Sequence, residues 1–343
     1  MNSEDLLEAA RRGDEGAFER LIEPYRRELQ AHCYRMLGSV HDAEDAMQDA
    51  LLRAWRGLAR FEGRSSLRSW LYRIATNSCL RLIERRPTRV LPIDHGPPAD
   101  PHDQLAEPLV ESTWIEPYPD ERLGDPHASP EARYEQRESV ELAFTAALQH
   151  LPPLQRAVLI LTDVLGFAPG EVAEALDATP ASIYSALQRA RKAAEERLPE
   201  RSQQETLRTL GDDCIRELVD RFVEAWEGGD VDAIRSMLTD DAVLAMPPWP
   251  TWFRGREDVA AFLGRGPLIP GRRWRLVPTR ANGQLALASY WSTDERPLAA
   301  EGLIVLSLSD DGRLSELNAF RDPNLFAKFG LPRAMDSEAA TDL

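Results

Sequence analysis

The chain has 343 residues, with 41 Lys and Arg against 57 Asp and Glu, so its formal net charge is −16. That length suggests two or three domains, and a hydrophobic share of 43% supports packed cores rather than wholesale disorder. No apolar run approaches the roughly 18 residues of a membrane span, the polar start 1–12 has no secretory h-region, and three scattered cysteines (Cys33, Cys79, Cys214) exclude a disulfide scaffold or a Cys-only zinc site.

Residues 3–86 read as helices throughout. Phe18, Leu21, Ile22, Tyr25 and Leu29 recur at helical spacing, and Gly38 stops that helix. His41 to Ala59 forms another, with Ala43, Ala46, Met47, Ala50, Leu51 and Ala54 as its apolar stripe. Its first turns are acidic (Asp42, Glu44, Asp45, Asp49) and its last turns basic (Arg53, Arg56, Arg60), an order that suits the helix dipole. The polar loop 62–66 leads into a helix from Leu67 to Arg86, which Pro87 ends. Net acidity would argue against nucleic acid, but the charge is segregated: residues 53–86 hold nine arginines against Glu62 and Glu84. That cluster is a usable phosphate footprint.

Residues 87–137 hold ten prolines and are acidic, so they read as a connector that is extended or disordered for much of its length. Within it Trp114, Ile115 and Tyr118 form an apolar patch, which either docks elsewhere or simply lies on a neighbouring domain. Residues 138–198 return to helices. A helix 171–176, a turn Asp177-Ala178-Thr179 and a helix from Pro180 to Leu198 form a helix-turn-helix pattern, with Thr179 and Pro180 as N-cap and first helical residue. A polar connector, 199–212, follows.

From residue 213 two amphipathic helices (214–227 and 230–238) precede segments that alternate like strands: 242–246, 274–278, 284–291, 303–308 and 314–320. Asp310-Asp311-Gly312 signals a hairpin. Helices first and strands later read as an α+β roll for residues 213–332, with 333–343 a disordered tail. All six histidines precede this domain, so no histidine base can act within it. Asp240, Asp241, Asp294, Glu301 and Tyr290 remain as acid/base candidates, though most such carboxylates are simply solvated.

The helix after the basic loop carries Arg68, Trp70, Tyr72, Arg73, Asn77, Arg81 and Arg85 off its apolar stripe. Aromatics interleaved with arginines and an amide offer stacking platforms and phosphate contacts for single-stranded or melting DNA, and a polar loop such as 62–66, with Arg64 and Ser65, can hold a flipped base. A solvated arginine face with Trp70 half in the core fits the same pattern. The run Trp70-Leu71-Tyr72-Arg73-Ile74-Ala75-Thr76-Asn77, with Asp42 to Trp55 before it, resembles region two of the extracytoplasmic-function (ECF) sigma factors. The run 151–159 and the helix-turn-helix resemble region four of the same family, and residues 213–332 resemble the SnoaL-like superfamily.

That resemblance implies a multidomain chain. Two all-α sigma domains (1–86, a helical bundle that binds core polymerase and the minus-ten element, and 138–198, a helix-turn-helix for the minus-thirty-five element) precede an α+β SnoaL-like cone-shaped barrel. Carried over by position, Asp45, Gln48, Asp49, Arg53 and Trp55 meet core RNA polymerase. Arg64, Ser65, Arg68, Trp70, Tyr72, Arg73, Asn77, Arg81 and Arg85 meet the minus-ten element. Thr179, Ala181, Ser182, Tyr184, Ser185, Gln188 and Arg189 meet the minus-thirty-five element, with Arg191 and Lys192 on phosphates. Pocket or interdomain positions are Trp114, Tyr118, Met246, Trp249, Trp252, Phe253 and Tyr290. The expected activity is promoter recognition in the cytoplasm, with core polymerase and promoter DNA as partners, and with no cofactor, metal, membrane or catalytic residue. The SnoaL-like domain would modulate the sigma unit, with or without a small ligand, in place of a separate anti-sigma factor. The competing readings are a ligand-sensing helix-turn-helix regulator that works without core polymerase, and an enzyme fused to a transcription module.

Overall fold

The computed structural model describes residues 3–63, 65–109, 113–124, 129–293 and 297–335. The chain divides into two units, one of residues 1–89 and 122–199, the other of residues 90–121 and 200–343.

The first unit is helical. Helices α1 (Ser3–Arg11), α2 (Glu15–Leu37), α3 (Val40–Gly57) and α4 (Leu67–Ile83) form its N-terminal half. Each boundary has a local cause. The Asp14 carboxylate accepts from the Ala17 amide at 2.9 Å to cap α2, and Gly38, at φ 68°, ends that helix by donating its N–H to Tyr34 O. Ser39 and Ser66 cap α3 and α4. The stripe Ala43, Ala46, Met47, Ala50 and Ala54 is buried, as its spacing predicts.

A single turn, α5 (Pro92–His95), belongs to the second unit. The first unit resumes with α6 (Pro130–Glu138), α7 (Leu142–Gln149), α8 (Pro153–Leu159) with a π-helical continuation over Ile160–Val164, α9 (Pro169–Ala175) and α10 (Pro180–Glu195). Asp177 takes φ 52° in the tight turn between α9 and α10. The two halves are bolted together by buried arginines. Arg35 donates to Ser139 Oγ at 2.7 Å and Ser139 O at 3.0 Å. Arg156 donates to Met36 O, to Gln149 Oε1 at 2.6 Å and O at 2.9 Å, and to Leu151 O at 3.2 Å. Burial holds the Arg156 pKa down at about 10.

The second unit opens with α11 (Gln203–Leu210), α12 (Asp212–Gly228) and α13 (Val231–Met237). Strands β1 (Leu238–Ala245) and β2 (Trp252–Arg254), helix α14 (Arg256–Arg265), strands β3 (Arg272–Ala281), β4 (Gln284–Thr293), β5 (Leu298–Leu308) and β6 (Leu314–Phe320), the turn α15 (Leu325–Lys328) and β7 (Ala334–Met335) follow. The sheet runs β2-β1-β6-β5-β4-β3 and is open, with β1 parallel to β6 and β7 pairing β5. The five segments read as strands are all strands. Strand β2 carries no alternation long enough to announce it. The β3–β4 turn, Asn282-Gly283, has φ of 56° and 71°, a pair of left-handed residues that suits a tight hairpin. At the C-terminus, Ala334 and Met335 pair with Ala299 and Leu298; the rest of the segment read as a tail lies outside the described residues. Among the described residues no helix is long and apolar enough to cross a membrane.

The proline-rich stretch is not free along most of its length. Residues 90–109 and 113–121 belong to the second unit, held by backbone bonds (Ala99 N to Trp252 O at 2.9 Å, Leu109 N to Pro248 O at 2.9 Å, Asn282 N to Tyr118 O at 2.8 Å) and by side chains such as Lys328, which pairs with Glu116 at 3.0 Å. We call it the strap.

Candidate nucleic-acid interface

Helix α10 splits its residues by face. Ile183, Ala186, Leu187, Ala190 and Ala194 are buried, and every one of the nine positions singled out from the sequence, from Thr179 to Lys192, is exposed. Tyr184 stands out at 59% exposure. Tyr184, Gln188, Arg189, Arg191 and Lys192 line one open groove. Several of the nine are partly spent within the chain. Thr179 Oγ1 accepts the Ser182 amide at 3.2 Å as N-cap, and Arg191 grips Asp163 with two bonds, at 2.7 and 2.8 Å. Arg189 donates to Ser185 Oγ at 2.7 Å.

The α4 candidates divide differently. Arg73 and Arg85 are exposed, and Ser65 and Asn77 are half-buried. Arg64 lies outside the described residues. Arg81 donates to Ser78 Oγ at 3.1 Å and lies 3.6 Å from Asp49. Trp70 is half-buried, 5.0 Å from the Phe61 ring. Tyr72 is not on the outer face that its spacing suggests: it is buried, its hydroxyl donates to Glu28 at 3.1 Å, and Phe167 meets its ring edge-on at 5.3 Å. Burial, then the Glu28 charge, raises its pKa. The Arg68 guanidinium lies over both rings, 5.0 Å from Tyr72 and 4.8 Å from Phe167, and reaches Glu28 at 3.4 Å and Leu165 O at 3.5 Å. Ser69 meets Glu171 at 3.4 Å. Part of the α4 surface is therefore covered by the segment 165–171 of the helix-turn-helix half.

On α3, Asp45, Gln48 and Arg53 are exposed, and Asp49 and Trp55 are half-buried. Burial of Asp49 opposes its ionisation. Hydrogen bonds from Arg53 (2.7 Å) and Ser78 (2.8 Å) and the charges of Arg53 and Arg81 outweigh that and keep its pKa below the usual carboxylate value. Trp55 packs 5.1 Å from Phe18. At the start of α3, Asp42 is buried in an ion pair with Arg89 at 2.7 Å and is also paired with Arg86.

The second unit encloses a cavity of about 250 Å³ whose walls include Trp226, Met246, Phe262, Trp274 and Ile304. Of the positions singled out there, Met246 lines the cavity. Trp249 stacks under Arg321 at 4.5 Å, Phe253 stacks on Phe262 in the core at 4.5 Å, Trp252 donates to Gly96 O at 2.8 Å, and Tyr290 donates to Pro332 O at 3.0 Å. Trp114 and Tyr118 anchor the strap on this unit: Trp114 Nε1 donates to Pro248 O at 2.9 Å, and the Tyr118 amide donates to Asn282 Oδ1 at 2.8 Å. The residues sequence reading missed are the turn residues Asn282 and Gly283, with Gly283 N donating to Asp120 at 2.7 Å; an Asn-Gly between alternating runs was the available signal. Among the described residues the carboxylate lining the cavity is that of Glu301, which is committed to Arg321 and Trp291. Asp240 pairs with Arg256, Asp241 is exposed, and Asp294 lies outside the described residues. Burial raises the pKa of Glu316, which stands on β6 and is not a cavity residue. Among the described residues no His, Cys, Asp and Glu cluster could hold a metal.

Comparison with known proteins fits this layout. Residues 21–88 match sigma-70 region 2, residues 141–193 match sigma-70 region 4, and residues 219–317 match the SnoaL-like domain. The ECF RNA polymerase sigma factor SigG of Mycobacterium tuberculosis is 44% identical over 335 residues, covering 95% of this chain and 86% of that protein. The chain belongs to the ECF sigma factors of RNA polymerase. SigW of Bacillus subtilis is 38% identical over 80 residues, covering 23% of this chain and 43% of that protein. The crystal structure of the M. tuberculosis sigma factor SigJ shares the fold, with a TM-score of 0.56 at 23% identity, covering 90% of this chain and 97% of that one. The chain is thus a sigma factor that works in transcription initiation with RNA polymerase, and it carries a third, SnoaL-like domain.

Proposed function

We propose that this sigma factor reads the minus-thirty-five element with the outer face of α10 and the minus-ten element with α4 and the loop before it, while α3 docks on core polymerase. The observation that carries the reading is the facial split of α10: nine candidate contact residues outside, five apolar residues inside. Gln188, Arg189 and Ser185 can reach base edges in the major groove, and Lys192 can hold a phosphate. Arg73 and Arg85 are exposed to meet the minus-ten strand, with Asn77 half-buried beside them; Arg68 joins them once the segment 165–171 moves away, and Trp70 and Tyr72 once they also leave Phe61 and Glu28. Asp45, Gln48 and Arg53 present the docking face of α3, with Asp49 ionised beside Arg53. Chemistry belongs to the polymerase, in the cytoplasm where polymerase and chromosome meet.

The SnoaL-like domain modulates this activity through the strap, the covalent link between the two sigma halves. Seated, the strap is bound within the unit of the open sheet; free, residues 90–121 would span on the order of 110 Å. This internal restraint takes the place of a separate anti-sigma factor. The test is transcription from a promoter pool with core polymerase and the full chain, beside Asn282→Ala, which loosens the strap. Core-dependent initiation that rises in the variant supports the reading. Equal output from both sinks the restraint, and no core-dependent initiation sinks the assignment of the contact faces.

A further inference from the structure

The cavity of the SnoaL-like domain has a chemistry of its own. Most of its wall is apolar, and Leu105 of the strap and Ile269, each 36% exposed, form part of it. Three arginines line it against one carboxylate. Arg321 and Glu301 neutralise each other through a 2.6 Å bond from Nε, and Trp291 Nε1 donates to the second carboxylate oxygen at 2.8 Å. Among the described residues Arg265 and Arg272 donate to the carbonyls of Asp103 and Gly266, and Arg272 stacks on Trp291 at 5.0 Å. Carbonyls and rings do not cancel a charge, so among the described residues Arg272, half-buried, and Arg265, exposed at the rim, have no carboxylate partner at the cavity. The second observation is an orphan donor. Trp226, a wall residue only 4% exposed, has no acceptor for its indole N–H. A buried donor without a partner costs free energy until an acceptor arrives.

We propose that this cavity binds a small amphiphilic acid. Its apolar body of about ten to fourteen non-hydrogen atoms suits a cavity below the usual size for drug-like ligands. Its acidic group sets against Arg265 and Arg272, and an oxygen takes the Trp226 hydrogen. Glu301 is locked by Arg321 and Trp291, so the site holds its ligand and does not turn it over. Because Leu105 belongs to both the cavity wall and the strap, occupancy bears on the strap; that consequence rests on the modulation proposed above, whereas binding stands apart from it.

The probes are decanoic acid, decan-1-ol and decylamine at monomeric concentrations, titrated calorimetrically into the full chain. Decanoate is expected to bind one per chain and at least tenfold tighter than the alcohol, with the amine weakest. Trp226→Phe should weaken decanoate several-fold, and Arg265→Gln with Arg272→Gln should erase the preference for acid over alcohol at an unchanged melting temperature. Saturable binding by none of the probes, or equal affinity for acid and alcohol in the parent chain, overturns the proposal. So does full decanoate affinity in both variants, which would place the acid elsewhere. Core-dependent transcription measured with and without decanoate separates the two readings: binding with output unchanged upholds the site and overturns the strap's regulatory role.

Discussion

His32 is fully buried, its Nε2 is 2.8 Å from Thr76 Oγ1, and burial followed by the Arg35 charge lowers its pKa from 6.5 to about 3. The unfolded chain takes up this proton near pH 6.5, whereas the folded chain resists it until about pH 3. Stability from this residue is therefore complete above pH 6.5 and is lost as pH falls, at up to ~1.4 kcal/mol per pH unit. Urea midpoints between pH 5 and 6.5 should fall more steeply for the parent than for His32→Gln; parallel curves would refute the assignment. Arg156 acts at the same scale with the opposite charge state. It stays cationic in the interior because four acceptors surround it, and removing it orphans those acceptors. Arg156→Ala should cost on the order of 3 kcal/mol in equilibrium unfolding. On α10 the roles divide as well. Gln188→Ala should relax base preference at one position at a cost of ~1–3 kcal/mol. Lys192→Gln should weaken all sequences alike and lower the salt slope by about one. Binding isotherms at several salt concentrations on matched and mutated promoters distinguish the two.

At the scale of elements, the helices were legible because their apolar spacing, caps and stops agree. Asp14, Ser39, Ser66 and Thr179 stand where each helix begins. The contact positions on α10 were legible through the resemblance to region four, and all nine lie on its exposed face. The place of Tyr72 was not legible, since its spacing allows either face and only tertiary partners, Glu28 and Phe167, decide it. The cavity was only partly legible: Met246 lines it, but Trp226, Arg265 and Arg272 come from α12, α14 and β3, and no local spacing links them. The strap was hidden by a different cause. Proline-rich acidic sequence predicts an extended chain but not what it lies on, and part of what seats it, the main-chain groups of Ala99 and Leu109, leaves no side-chain signature. Its one sequence mark, Trp114 to Tyr118, is buried on the barrel's unit. Asn282→Ala removes the acceptor of the Tyr118 amide, so hydrogen exchange in residues 113–121 should speed up while α10 is unaffected. Unchanged exchange in that segment would mean that the strap is held without Asn282.

At the scale of the molecule, if α4 reads the minus-ten element and α10 the minus-thirty-five element as proposed, the packing of the two sigma halves conflicts with simultaneous reading of both. Those elements lie about two and a half helical turns apart, roughly 85 Å along the duplex. In the first unit α7 and α8 pack directly on α2 through Arg35, Gln149 and Arg156, and the segment before α9 covers Arg68. Contact between halves at hydrogen-bond distance cannot persist while each occupies its own element, so engagement requires the halves to part. Among the described contacts that must break, Arg156 meets neutral acceptors, Arg35 reaches Ser139, Ser69 meets Glu171 and Arg122 pairs with half-exposed Glu44 at 2.5 Å, so few ion pairs are lost. Polymerase and promoter binding can therefore offset their loss. With dyes on Arg12→Cys and Glu174→Cys in a Cys214→Ser background, energy transfer should be high in the free chain. It should fall on addition of core polymerase and promoter DNA together, and fall further in Asn282→Ala. Transfer that stays constant through open-complex formation would mean that the halves bind promoter DNA without separating, and the assignment of α4 and α10 to two distant elements would then fail.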